Sequence, residues 1–145
     1  MLDRLGQADR ICSISAFLAL VSTYLPWYRF RDAQGTVTVN AFGVGFLGDV
    51  LFFSAVATLL IIAVRIDLLQ VERVSVDARH LLPVALAGLG AVVLQLLIGV
   101  NGTGAFRSIT IGVVVALLAA IGMLVGARMQ RQSQPGMHSL RRQAR

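Results

Sequence analysis

The chain has 145 residues, 57% of them hydrophobic and 14% charged, with 13 basic against 7 acidic side chains and a formal net charge of +6. That length is too short for two globular domains, and the long apolar runs leave little chain for an independent soluble one. All of the basic residues are arginine, which together with abundant Gly and Ala is the signature of a GC-rich coding sequence.

Four apolar runs follow one another along the chain, at residues 11–27, 46–64, 81–100 and 109–127. Each is near the roughly 20 residues that cross about 30 Å of hydrocarbon. They are apolar around the whole helical circumference, unlike an amphipathic helix on a soluble core. The predicted fold is an all-α membrane protein, an antiparallel bundle of four transmembrane helices. It occupies residues 1–127 and is followed by a basic, disordered tail at 128–145.

Charge placement predicts the orientation. Arg4 and Arg10 precede the first span, Arg65, Arg73 and Arg79 lie between the second and third, and Arg128, Arg131, Arg141, Arg142 and Arg145 follow the fourth. The other side carries only Arg29, Arg31 and Arg107. By the positive-inside rule both termini are cytoplasmic in a bacterial inner membrane, and the first and third loops face outward. The first run lacks a small-residue cleavage site and no lipobox precedes Cys12, so it is expected to be retained. Cys12 is the single cysteine; it cannot form an internal disulfide, and it reads as a small buried hydrophobe.

The first run ends in Leu25-Pro26-Trp27-Tyr28-Arg29-Phe30-Arg31. Pro26 disturbs the helix, and Trp27 and Tyr28 suit the headgroup level, where a ring is wetted on one side. Alternating polar and β-branched residues then flank a turn containing Gly35, which predicts a short β-hairpin over the outer mouth of the bundle. Trp27, Tyr28, Arg29 and Arg31 are the candidate contact residues of this outer loop.

The Leu-Pro-Trp-Tyr segment, the Asn40-Ala41-Phe42-Gly43 stretch and Asp49 opening the second span resemble small four-helix membrane proteins common in actinobacteria. The likeness covers residues 25–49, with the Leu82-Pro83-Val84 start of the third span also similar, and it implies topology and lineage rather than an activity. The layout is also similar to that of claudins, but the paired cysteines of the claudin loop are missing.

Asp49 is the one ionisable residue within an apolar run. Its place in the first turn of the second helix suits a carboxylate that complements the helix dipole; a proton or cation site paired with Arg107 is the functional counterpart. Gln95, on the third span, is expected to hydrogen-bond a neighbouring helix. Ser13, Ser15, Ser22, Thr23, Ser54 and Thr58 can bond back to carbonyls one turn earlier. Gly112, Ala116 and Ala120, the Gly122/Gly126 pair, and Ala87 with Ala91 mark close-packing faces, within the bundle or in a dimer.

On the cytoplasmic side, residues 65–80 mix apolar and charged residues in a pattern that fits neither an interfacial helix nor a strand cleanly. His80 and His138 offer no metal or haem pair at a useful spacing. Arginines of the tail, at about 1 kcal/mol each near an anionic leaflet, are expected to rest on lipid headgroups.

No Ser-His-Asp set, HExxH or Gly-rich phosphate loop is present, and no cofactor is implied. The expected role is that of a non-catalytic accessory or interaction subunit, partnered by the bilayer and by another membrane protein or its own copies, with no nucleic acid. A small oligomeric channel or transporter using Asp49 and Gln95 is the alternative.

Overall fold

The computed structural model describes residues 6–32, 35–66, 80–99 and 109–132. Along the chain run α1 (Gln7–Tyr24), β1 (Pro26–Asp32), β2 (Gly35–Asn40), the short α2 (Ala41–Val44), α3 (Phe46–Arg65), α4 (Leu81–Ile98) and α5 (Ile111–Gln132). The protein is therefore built on long apolar helices with one short antiparallel hairpin, as a helical membrane protein is. The helices α3, α4 and α5 are long and apolar enough to cross a membrane. α1 is less apolar because it begins earlier than the apolar run, taking in Gln7, Asp9 and Arg10.

Other boundaries shift for local reasons. α1 stops at Tyr24, so Pro26 and Trp27 belong to β1 and not to the first span; proline has no amide hydrogen to continue the helix. α4 ends at Ile98 because Gly99 turns the chain with a positive φ of 67°. α5 starts at Ile111 and runs on to Gln132, so Arg128 and Arg131 stand on its exposed last turns, within helix rather than disordered chain. Residues 67–79 and 100–108, with Arg107, and the tail residues Arg141, Arg142, Arg145 and His138 lie outside the described residues.

The four long helices form a ring in which α1 packs on α5 and α3, and α4 packs on α3 and α5. Their directions alternate. The start of α1 meets the ends of α3 and α5 through Asp9, Arg65 and Gln130, while the chain leaving α1 meets the end of α4 through Tyr28 and Gln95.

The ring closes tightly because its facing residues are small. On α1 the buried face is Cys12, Ser15, Ala16, Ala19, Ser22 and Thr23; on α5 it includes Gly112, Ala116, Ala120, Gly126 and Ala127. A Cβ on Gly122 would collide with the Ser15 side chain, and one on Gly126 would lie 2.5 Å from Cys12 Sγ and 3.0 Å from the Cys12 backbone nitrogen. The GxxxG pair is thus used inside the chain, as the seat of α1. Cys12 is buried there, its Sγ 3.5 Å from the Met123 carbonyl oxygen. Gly88 plays a similar part between α4 and α3, where an added Cβ would lie 3.2 Å from the Ser54 Cβ.

Large side chains point the other way. Ile14, Phe17, Leu18 and Val21 on α1, Phe53 and Leu60 on α3, Leu94 and Leu97 on α4, and Leu118 and Val125 on α5 are all exposed. An apolar surface so extensive far exceeds what a soluble monomer leaves in water. Inward positions on α1 are small or hydroxyl-bearing, while Leu51, Ile62, Leu81, Val92, Val113 and Met123 join small residues in the core of the other helices. Small residues at the helix contacts with large apolar ones outside suit lipid as the solvent. Three of the six hydroxyls are satisfied locally. Ser22 donates to the Ala19 carbonyl, Thr23 to Leu20 and Thr58 to Ser54, each within one turn.

Candidate functional site

Two polar constructions close the ends of the ring, one under the hairpin and one at the opposite end. At the hairpin end, β1 and β2 pair antiparallel in the register Tyr28 to Val39, Arg29 to Thr38, Phe30 to Val37 and Arg31 to Thr36, with an irregularity between Pro26 and Tyr28. The base of β1 is held on its free edge by the chain entering α5: the Thr110 amide donates to the Trp27 carbonyl at 2.9 Å and its hydroxyl to the Pro26 carbonyl, and Tyr28 bridges to Ile109. Gly112 makes room for this, because a Cβ there would lie 2.5 Å from the Pro26 oxygen and 2.7 Å from the Trp27 ring.

Trp27 and Tyr28 are both 0% exposed. The structure places them inside the protein rather than at its lipid-facing surface. The Trp27 indole donates to the Ser22 carbonyl at 2.7 Å, and the Tyr28 phenol donates to the Gln95 carbonyl at 3.1 Å. Burial pushes the Tyr28 phenol above its ordinary value, and the nearby Gln95 side chain, which favours the phenolate, offsets part of that rise. The Gln95 amide nitrogen donates to the Gly99 carbonyl at 2.9 Å and so finishes the end of its own helix, with no side-chain bond to another helix among the described residues. Trp27, Tyr28 and Gln95 are therefore brought together as a clasp between β1, α1 and α4.

Asp49 stands apart from this clasp. It is half-buried in the first turn of α3, where its charge complements the dipole, and its carboxylate makes no side-chain hydrogen bond among the described residues. Arg29 and Arg31 are exposed on β1.

At the other end of the ring lies a cluster that the sequence reading did not single out. Arg65, in the last turn of α3, donates from one guanidinium nitrogen to Asp9 at 3.0 Å and to Gln130 at 2.5 Å, while the Gln130 amide also donates to Asp9. Both charges favour their helix ends, the acid at the start of α1 and the base at the end of α3. Partial burial, with side chains 28% and 16% exposed, keeps the pair from full solvent screening. The signal for it in the sequence was an acid among arginines beside the ends of the apolar runs, and pairing it needs the ring.

Asp9→Asn is expected to lower thermal stability in detergent by about 1 kcal/mol, the discount reflecting partial exposure. Arg65→Gln should cost a similar amount, and the double variant should cost less than the sum. Fully additive melting shifts would show that the pair is not coupled.

An apolar groove of about 460 Å³ runs between α3 and α4, bordered by Phe46, Phe53, Ser54, Ala57, Pro83 and Ala87. Because Phe46, Phe53, Pro83 and Ala87 are exposed, the groove belongs to the outward surface and not to the bundle axis. Among the described residues no group of three or more His, Cys, Asp or Glu could hold a metal ion. Compared with protein-family models, curated proteins and solved structures, the chain matches none of them.

Proposed function

We propose that the chain is a four-span, non-catalytic protein of a bacterial inner membrane that serves as an accessory or interaction subunit. In this reading both termini and the connection between α3 and α4 are cytoplasmic, and the hairpin is outside. The observation that carries it is the side-chain distribution of α1. Its exposed positions Ile14, Phe17, Leu18 and Val21 are all large and apolar, while Cys12, Ser15, Ala19 and Ser22 face inward. Large apolar side chains stand exposed on α3, α4 and α5 as well, which supports α1 as the fourth span, with Asp9 and Arg10 at its cytoplasmic mouth. The resemblance to small actinobacterial four-helix proteins fits the same topology.

The polar groups support a scaffolding role. Every buried side-chain nitrogen or oxygen among the described residues has a partner within the chain, so these groups hold the bundle together. Contacts with another protein are then left to what stands outside the hydrocarbon, the hairpin and the basic tail. The second reading, a small oligomeric channel or transporter, draws on the half-buried Asp49 carboxylate, which has no side-chain hydrogen bond among the described residues.

Gentle extraction of the tagged protein at native levels into nanodiscs, followed by mass measurement of the intact particle, separates the two. A stoichiometric partner that is lost on deleting residues 34–40 or the tail is the expected result. A pure homo-oligomer that conducts ions in liposomes, and stops on Asp49→Asn, would overturn it. In the accessory reading Asp49→Asn lowers stability by no more than about 1 kcal/mol.

A further inference from the structure

The hairpin has two faces. Tyr28 and Phe30 on β1 share one side with Val39 and Val37 on β2, while Arg29 and Arg31 share the other with Thr38 and Thr36. Tyr28 turns in toward α4 to reach Gln95, so its side looks over the bundle axis and the arginine side looks away from it. Exposure follows this division except at Val37, near the tip. Arg29, Arg31, Thr36 and Thr38 are exposed, Phe30 and Val39 are half-buried, and Val37 is exposed.

At the foot of the hairpin, the exposed Tyr24, Phe46 and Ile111 at the helix ends mark the last apolar level of the bundle. The arginine face thus stands at the height of the lipid headgroups and points out over the leaflet. Neither arginine is ion-paired among the described residues, where the pair Asp9–Arg65 lies at the opposite end. Topology does not account for them either, since arginines that set orientation gather on the cytoplasmic side.

We propose that this face binds the phosphates of anionic lipid headgroups in the outer leaflet. Positions i and i+2 of a strand are about 6.6 Å apart, so two guanidinium forks can share one phosphate diester or take two adjacent ones. Thr36 and Thr38 present hydroxyls on the same face across the ladder. A leaflet supplies such phosphates at high density wherever the face looks, which favours lipid over an acidic protein segment. The proposal rests on the outward placement of the hairpin given above.

The test uses the full-length protein, delipidated in mild detergent and offered equimolar phosphatidylglycerol and phosphatidylcholine, with bound lipids counted by native mass spectrometry. The wild type should retain phosphatidylglycerol preferentially. R29Q/R31Q should lower that preference roughly 10- to 30-fold at the hairpin site, at about 1 kcal/mol per arginine. Because the tail arginines also attract anionic lipid, R141Q/R142Q/R145Q serves as the comparison and should leave the hairpin-bound lipid in place. Unchanged melting and Trp27 emission would show that R29Q/R31Q is folded.

Equal lipid counts in wild type and R29Q/R31Q would overturn the proposal, as would full competition by inorganic phosphate or loss of an acidic protein instead of lipid. Labelling of Thr38→Cys in a Cys12→Ala background by an impermeant thiol reagent on sealed cells checks the orientation separately. Labelling with no lipid difference sinks the headgroup site alone, and protection from outside sinks the topology on which it rests.

Discussion

Replacing Gly126 with leucine is expected to abolish the stable folded monomer, or to lower its melting temperature in mild detergent more than any surface substitution. Overpacking a well-filled interior costs about 1–3 kcal/mol where side chains can give way. Here the added Cβ alone would lie 3.0 Å from the Cys12 backbone nitrogen and 3.1 Å from the Ala8 carbonyl oxygen, so part of the obstruction is main chain. The loss should reach at least the top of that range, a large fraction of the roughly 5–15 kcal/mol that keeps a domain folded. Gly90→Ala is the control, because nothing lies within 4 Å of its added Cβ. Removing a mid-helix glycine there should be neutral or stabilising by up to about 1 kcal/mol. If Gly126→Leu melted like the wild type and only altered the particle mass, the glycines would belong to an interface between copies instead.

Trp27→Ala should be nearly as damaging, at about 3–5 kcal/mol for removal of a fully buried indole. The ring fills the space beside Gly112 and its N–H is donated to the Ser22 carbonyl, so truncation opens a cavity and strips a partner from the end of α1. Trp27→Phe keeps most of the volume and loses the donor, which should cost roughly 1–2 kcal/mol with the hydrogen bond as the larger part. Trp27 is the sole tryptophan, so circular dichroism melting is the appropriate readout. An anchor that merely sat at the headgroup level would tolerate phenylalanine with no measurable change. That result would contradict the clasp.

The two predictions mark where reading the residues succeeded and where it stopped. The apolar runs located α3, α4 and α5, because a run of about 20 apolar residues satisfies its own backbone in hydrocarbon as a helix, whereas a membrane strand is about half as long. Pro26 marked the break after α1, whereas Gly99, inside the run read as 81–100, ends α4 at Ile98. The hairpin was legible from alternation around Gly35, whose φ of 133° few side chains adopt. Small-residue spacing marked Gly122 and Gly126 as a contact face, yet spacing alone could not say whether the partner was α1 or another copy.

Polar residues were harder to read for the same reason. Trp27 and Tyr28 look identical in sequence whether they float at an interface or plug the end of a bundle, and only the register of β1 against the start of α5 turns them inward. Gln95 near the end of α4 bonds the carbonyl of Gly99, a choice made by where the helix stops. Asp9, Arg65 and Gln130 are as many as 121 residues apart and meet only because three helix ends converge.

By itself the sequence determined the solvent, the helices and their breaks, since these follow from hydropathy and from local backbone chemistry. The tertiary structure decided which face of each helix meets which neighbour and which polar groups become partners. Those choices depend on contacts between distant segments, where a single glycine or a one-residue shift in register changes what can approach.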